Sequence, residues 1–164
     1  MLRDEFDTII DQWKTERPDL VPSGLAVLWR ISFLHKDLRK ALSKKLSQLD
    51  LPNWAFDVLA SLRRQGDPFE MSPSELCEAT QLTSGAMTNR LDRLEDSGFL
   101  ERRPDPDDRR GLIIRLTGKG RQKIDQALEI RFEHANRALD PLSDSEQQQL
   151  TQLLRKMVAT RTAS

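Results

Sequence analysis

Two helix starts stand close together near the middle of this 164-residue chain, and a short hairpin follows them. That order of signals restricts the fold more than any other stretch does. Ser72-Pro73-Ser74-Glu75 opens the first helix. The serine caps it, the proline sits in the first turn where its missing N–H costs nothing, and Glu75 closes a capping box. Leu76, Ala79 and Cys77 are expected to face inward, with Leu82 plugging the turn. Thr83 or Ser84 caps a second helix that runs to Ser97, with Gly98 at its C-terminal end. Two capped helices separated by about four residues have helix-turn-helix spacing. Phe99 to Arg103 then reads as a strand, Pro104 to Gly111 as a loop rich in Pro, Asp and Arg, and Leu112 to Leu116 as the return strand.

The flanking segments read as a helical frame. Phe6, Ile9, Ile10 and Trp13 form an apolar stripe on a short helix, which Arg17-Pro18 ends. Ser23 is placed to cap the next helix. From there to about Leu49 (Leu28, Ile31, Leu34, Leu38, Leu42, Leu46, Leu49), apolar residues recur every three or four positions. Such a face packs either on a partner helix or on the chain's own core. Leu51-Pro52-Asn53 breaks the pattern and opens a helix with Trp54, Val58, Leu59 and Leu62, stopped by Gly66, and Phe69 to Met71 reads as a short strand. After the hairpin, Thr117 or Gly118 opens a helix with a stripe of Ile124, Leu128, Phe132, Ala135 and Leu139. Ser143 to Glu146 is a second capping box, and the last helix is expected to bury Leu150, Leu153, Leu154, Met157 and Val158. The expected fold is mainly α with a small β-wing. Residues 1–22 form a helical extension, 23–50 and 117–164 dimerisation helices, and 51–116 the winged helix-turn-helix region.

Composition sets limits on function. Net charge is zero, with 26 basic and 26 acidic residues, and mean hydropathy is -0.61. From Ser84 to Arg115, seven arginines face seven acids, so attraction to a polyanion must come from where charges sit. No apolar run approaches a membrane span, and the first ten residues carry acids where a secretory signal needs an apolar core. One cysteine, Cys77, fits a reducing cytoplasm. On a face expected to be buried it reads as inert, not as a redox sensor. His35 and His134 lack the spacing of a metal site, and no phosphate loop or nucleophile motif suggests an enzyme or a cofactor.

The second helix of the pair has two faces. Met87, Leu91 and Leu94 cluster in one arc, while Gly85, Ala86, Asn89 and Arg93 lie on or near the other. Small residues at a helix start let its backbone approach a groove floor. Asn89 has the geometry to pair with adenine and Arg93 with guanine or a phosphate. Ser84, Thr88 and the helix N-terminus suit a phosphate oxygen. Asp92 and Asp96 point outward and repel phosphates, so only the first half of the helix suits a groove. In the hairpin, Arg109 and Arg110 suit minor-groove insertion, with Asp108 orienting an arginine. The competing reading is a solvated charge cluster.

These residues resemble a known family. Asp108-Arg109-Arg110, then Gly111 to Arg115, then Leu116-Thr117 match D-x-R-x5-L-T, the wing signature of the MarR family of bacterial transcriptional regulators. The similarity covers about residues 23–160. It implies a winged helix-turn-helix homodimer that binds pseudo-palindromic double-stranded DNA, usually represses, and is often released by a small ligand. Trp13, Asp57, Arg90 and Arg102 further resemble the ligand set of the family's urate-responsive branch. Arg90 sits nearer the apolar arc than the outward face. An arginine fork suits a planar anion, and Trp13 suits stacking on it. The alternative is an Asp57–arginine salt bridge with Trp13 as a core anchor. The family's peroxide sensors carry cysteine near the N-terminal frame, which has none here. The rival from another class is a winged-helix protein-interaction module that does not touch DNA, which the zero net charge favours.

Overall fold

The computed structural model describes residues 3–106, 108 and 111–162. The described chain forms two compact units, one up to Lys44 and one from Lys45 onward.

The first unit begins with α1 (Glu5–Glu16) and contains most of α2 (Ser23–Leu46). Asp4 caps α1 and shares a capping box with Asp7. The Arg30 guanidinium grips the same cap. Its Nε and Nη2 donate to the two Asp4 carboxylate oxygens at 2.8 and 2.7 Å, and Nη2 also donates to Asp7 at 2.9 Å. The Phe6 ring meets the edge of Phe33 at 5.6 Å. A polar clasp and the contacts of the Phe6 ring with Phe33 and the Arg30 guanidinium therefore dock the extension on α2. Ser23 is the first helical residue, not the cap. The Pro22 carbonyl accepts from the Ala26 N–H at 3.0 Å, so the chain enters α2 through Pro22. Trp13 is 47% exposed in the single chain, so it does not anchor a core there.

The second unit carries the helix pair and hairpin. A single 3₁₀ turn (Ser47–Leu49) leads to α3 (Asn53–Arg63), β1 (Glu70–Met71), α4 (Pro73–Thr80), α5 (Ser84–Asp96), β2 (Leu100–Pro104), β3 (Leu112–Leu116), α6 (Gly118–Leu139) and α7 (Asp144–Thr162). The three strands form one antiparallel sheet ordered β1-β3-β2. Val58, Leu59 and Leu62 of α3, Leu76 of α4, Ile114 of β3 and Ile124 of α6 are fully buried. Burying such a side chain stabilises the fold by about 1.5–3 kcal/mol each. These residues make one core on which α4 and α5 are seated.

Both expected capping boxes form. The Ser72 N–H donates to Glu75 Oε2 at 2.7 Å, and the Glu75 N–H donates to the Ser72 hydroxyl at 3.2 Å. Ser143 and Glu146 make the same exchange at the start of α7. The expectation that α7 buries its apolar stripe is not met. Leu150, Leu153, Leu154, Met157 and Val158 are 37–61% exposed. Periodicity fixes which residues share a face but not what covers it. Phe132 of α6 is likewise 64% exposed, and Val27, Leu28, Ile31 and Leu34 of α2 are open. Cys77 is half-buried, and no described helix is long and apolar enough to cross a membrane.

Candidate nucleic-acid interface and effector residues

Helix α5 starts where the Thr83 hydroxyl accepts from the Ala86 N–H at 3.4 Å. Met87, Leu91 and Leu94 are 1–3% exposed and fix the helix on the core. That orientation turns Ser84, Gly85, Thr88, Asn89 and Arg93 to solvent, with Ala86 half-buried. Among the described residues, the Asn89 and Arg93 side chains make no hydrogen bond or ion pair. Thr88 Oγ1 donates to the Ser84 carbonyl at 3.0 Å, so its proton is already in use. A Cβ at Gly85 would meet nothing within 4 Å. The protein's own packing therefore does not require glycine there. The first N–H groups of a helix have no partner inside it. Together these features make the start of α5 a smooth, donor-rich surface.

The second half of α5 is tied to the wing. Arg102 of β2 donates from Nη2 to Asp92 Oδ1 at 2.6 Å and from Nη1 to Glu95 Oε2, and its backbone N–H donates to Glu95 Oε1 at 3.0 Å. Burial opposes the charge on this guanidinium, but the bonds from Asp92 and Glu95 outweigh it and raise its pKa above the ordinary arginine value. Asp92 is thus compensated by Arg102, while Asp96 is exposed. Glu95 was not singled out from sequence. The signal was available: Asp92 and Glu95 are three apart on a helix and so lie on one side of it.

At the wing tip the Asp105 N–H donates to the Gly111 carbonyl at 3.1 Å, and the Gly111 N–H donates to the Asp108 carbonyl at 2.8 Å. A Cβ on Gly111 would lie 2.8 Å from the Asp105 Cβ and 3.1 Å from the Asp108 Cβ, so the closed loop requires glycine. Asp108 is exposed. Arg109 and Arg110 lie outside the described residues.

Of the four effector residues, three belong to the second unit. Asp57 is exposed on α3 and lines a cavity of about 620 Å³ with Phe56, Arg64, Glu78, Arg131 and Phe132. Among the described residues its carboxylate meets no arginine, which leaves the Asp57 salt-bridge alternative without support. The Arg90 guanidinium lies 5.8 Å from the Trp54 ring centre, and Arg102 is held by Asp92 and Glu95. Each arginine therefore has its own local partners. Trp13 lies on α1 beside a surface cavity with Ile9 and Gln12. Among the described residues, no cluster of His, Cys, Asp or Glu is suited to a metal.

Comparison with known proteins agrees with this geometry. The sequence model of the MarR family matches residues 49–111. The chain is 38% identical over 150 residues to the HTH-type transcriptional regulator PecS of Dickeya dadantii (strain 3937), covering 92% of this chain and 90% of that protein. It is 31% identical over 141 residues to the multiple antibiotic resistance protein MarR of Escherichia coli (strain K12), covering 85% and 93%. The crystal structure of a mutant E. coli MarR complexed with operator DNA superposes with a TM-score of 0.69 at 28% identity, over 88% of this chain and 96% of that one. With its capped helix pair, three-stranded wing and matching relatives, the chain belongs to the MarR family of winged-helix transcriptional regulators.

Proposed function

We propose that the chain is a sequence-specific DNA-binding repressor of the cytoplasm. It acts as a homodimer on a pseudo-palindromic operator and is released by a small ligand. The observation that carries this reading is the outward face of α5, where Gly85 leaves the backbone open and the Asn89 and Arg93 side chains have no partner among the described residues. The MarR structure with operator DNA supports it by likeness.

Gly85 and Ala86 would let the helix backbone approach the groove floor, Ser84 and Thr88 would hold a phosphate oxygen, Asn89 would pair with adenine and Arg93 with guanine or a phosphate, and Arg109 and Arg110 would enter the minor groove with Asp108 orienting an arginine. The exposed apolar stripes of α2 and α7 support a second copy as the partner of the frame. Two recognition helices then read half-sites about one DNA turn apart. The effector we propose is a small aromatic anion, with urate the first to test, held by Trp13, Asp57, Arg90 and Arg102. The sequence pattern and the cationic, aromatic setting of Arg90 support this set.

A mobility-shift assay on the DNA beside the protein's own gene tests the reading. Binding that is lost in Asn89→Ala and Arg110→Ala, with the dimer intact, supports it. No binding even at low salt would refute it and favour a protein-interaction module. Urate should release the complex in wild type and fail to do so in Arg90→Ala or Trp13→Phe. Release that survives those changes removes the proposed ligand set.

A further inference from the structure

We propose that Asp92 and Glu95 set the threshold for the anionic effector, because they already occupy the guanidinium that the effector must take. The inference rests on the effector reading above and specifies how that site is regulated.

Arg102 is the wing's contribution to the proposed ligand set, and it is already engaged. Two of its terminal nitrogens are given to two carboxylates of α5, and its side chain is 24% exposed. One guanidinium between two carboxylates carries a local surplus of negative charge. A planar anion arriving there is repelled until a carboxylate withdraws. Every two-pronged edge of the guanidinium includes a terminal nitrogen, and each terminal nitrogen already serves a carboxylate. Binding at Arg102 is therefore opposed by these carboxylates, and the observed affinity is reduced by their repulsion and by any bond displaced.

The opposition is asymmetric. Glu95 also accepts from the Arg102 backbone N–H, so it stays anchored to β2 when the guanidinium turns away. Among the described residues Asp92 bonds to the guanidinium alone, and its side chain is 56% exposed and ready for water. Asp92 is the carboxylate that yields first. Glu101 and Arg103 alternate to the opposite face of β2, where they pair with each other at 2.6 Å, and so take no part.

Isothermal titration of urate into the DNA-free protein tests this. Asp92→Asn should bind urate more tightly than wild type, by roughly 2- to 10-fold for a partly exposed charged bond removed from the competition. Glu95→Gln, which keeps an oxygen for the backbone N–H, should shift the same way, and Glu101→Gln should match wild type. Loss of a merely structural bond would not tighten binding. If wild type binds urate and both Asp92→Asn and Glu95→Gln bind equally or more weakly, the competition is refuted and the effector reading stands. If wild type binds no urate, the effector reading fails and this inference fails with it.

Discussion

Gly120 offers the sharpest test of how the wing is joined to the frame. It is buried in the first turn of α6, against the end of the loop leading into β2. A Cβ built there would lie 1.8 Å from the Phe99 carbonyl oxygen and 2.7 Å from its carbon. An ordinary contact begins near 3.4 Å, so backbone must move by about 1.6 Å. The same carbonyl accepts the Thr117 N–H at 3.1 Å, and the Thr117 hydroxyl donates to the Gly98 carbonyl at 2.7 Å. Moving α6 away stretches both bonds. Overpacking costs about 1–3 kcal/mol, and stranding a buried carbonyl costs about 1–3 kcal/mol. The better helix propensity of alanine returns about 1 kcal/mol. Gly120→Ala should therefore destabilise by about 1–5 kcal/mol, lowering Tm by roughly 2–20 °C for a chain of this size. Gly118, two residues earlier, has nothing within 4 Å of its Cβ, so Gly118→Ala should be neutral or slightly stabilising. Scanning calorimetry of both variants and wild type decides the matter. A Gly120→Ala protein that melts within about 2 °C of wild type, the smallest shift expected for about 1 kcal/mol, would refute the close approach.

Other outcomes follow from features already described. Glu75 is held below the ordinary glutamate value of 4.5 by the Ser72 backbone N–H and hydroxyl, so its contribution to stability is present above that value and is lost as pH falls through its lowered pKa. Wild type should out-melt Glu75→Gln at neutral pH, and the gap should close in acid; a gap that is constant with pH contradicts this. Gly85→Ala should raise stability by a few tenths to about 1 kcal/mol while weakening operator binding measured by fluorescence anisotropy, and unchanged affinity would remove the backbone approach. Leu153 is 52% exposed in one chain, so Leu153→Asp should leave the monomer's own core intact and shift sedimentation toward monomer. A variant that stays dimeric would place the partner elsewhere.

What the sequence made legible was largely what neighbouring residues decide among themselves. Ser72 with Glu75, and Ser143 with Glu146, carry both halves of their capping boxes within four residues, so those helix starts could be read directly. The inward arc of Met87, Leu91 and Leu94 follows from helix geometry and is buried as expected. Long-range facts were not legible. The α7 stripe announces an apolar face without naming its cover. Gly120 reads as a weak helix residue until the Phe99 carbonyl is seen against it. Arg102 is one of seven arginines among seven acids between Ser84 and Arg115, and only the seating of β2 beside α5 selects Asp92 and Glu95 as its partners. Local rules also erred by one residue at α2, where Pro22, not Ser23, forms the entry.

The sheet order has a topological consequence. β3 lies between β1 and β2, with Glu70 opposite Arg115 and Met71 opposite Ile114. The chain leaves α3 through β1, makes the helix pair and hairpin, and returns along β3 directly beside its point of departure. The entry to the helix pair and the exit from the hairpin thus lie side by side in the sheet, next to the core that α3 shares with α4 and α5.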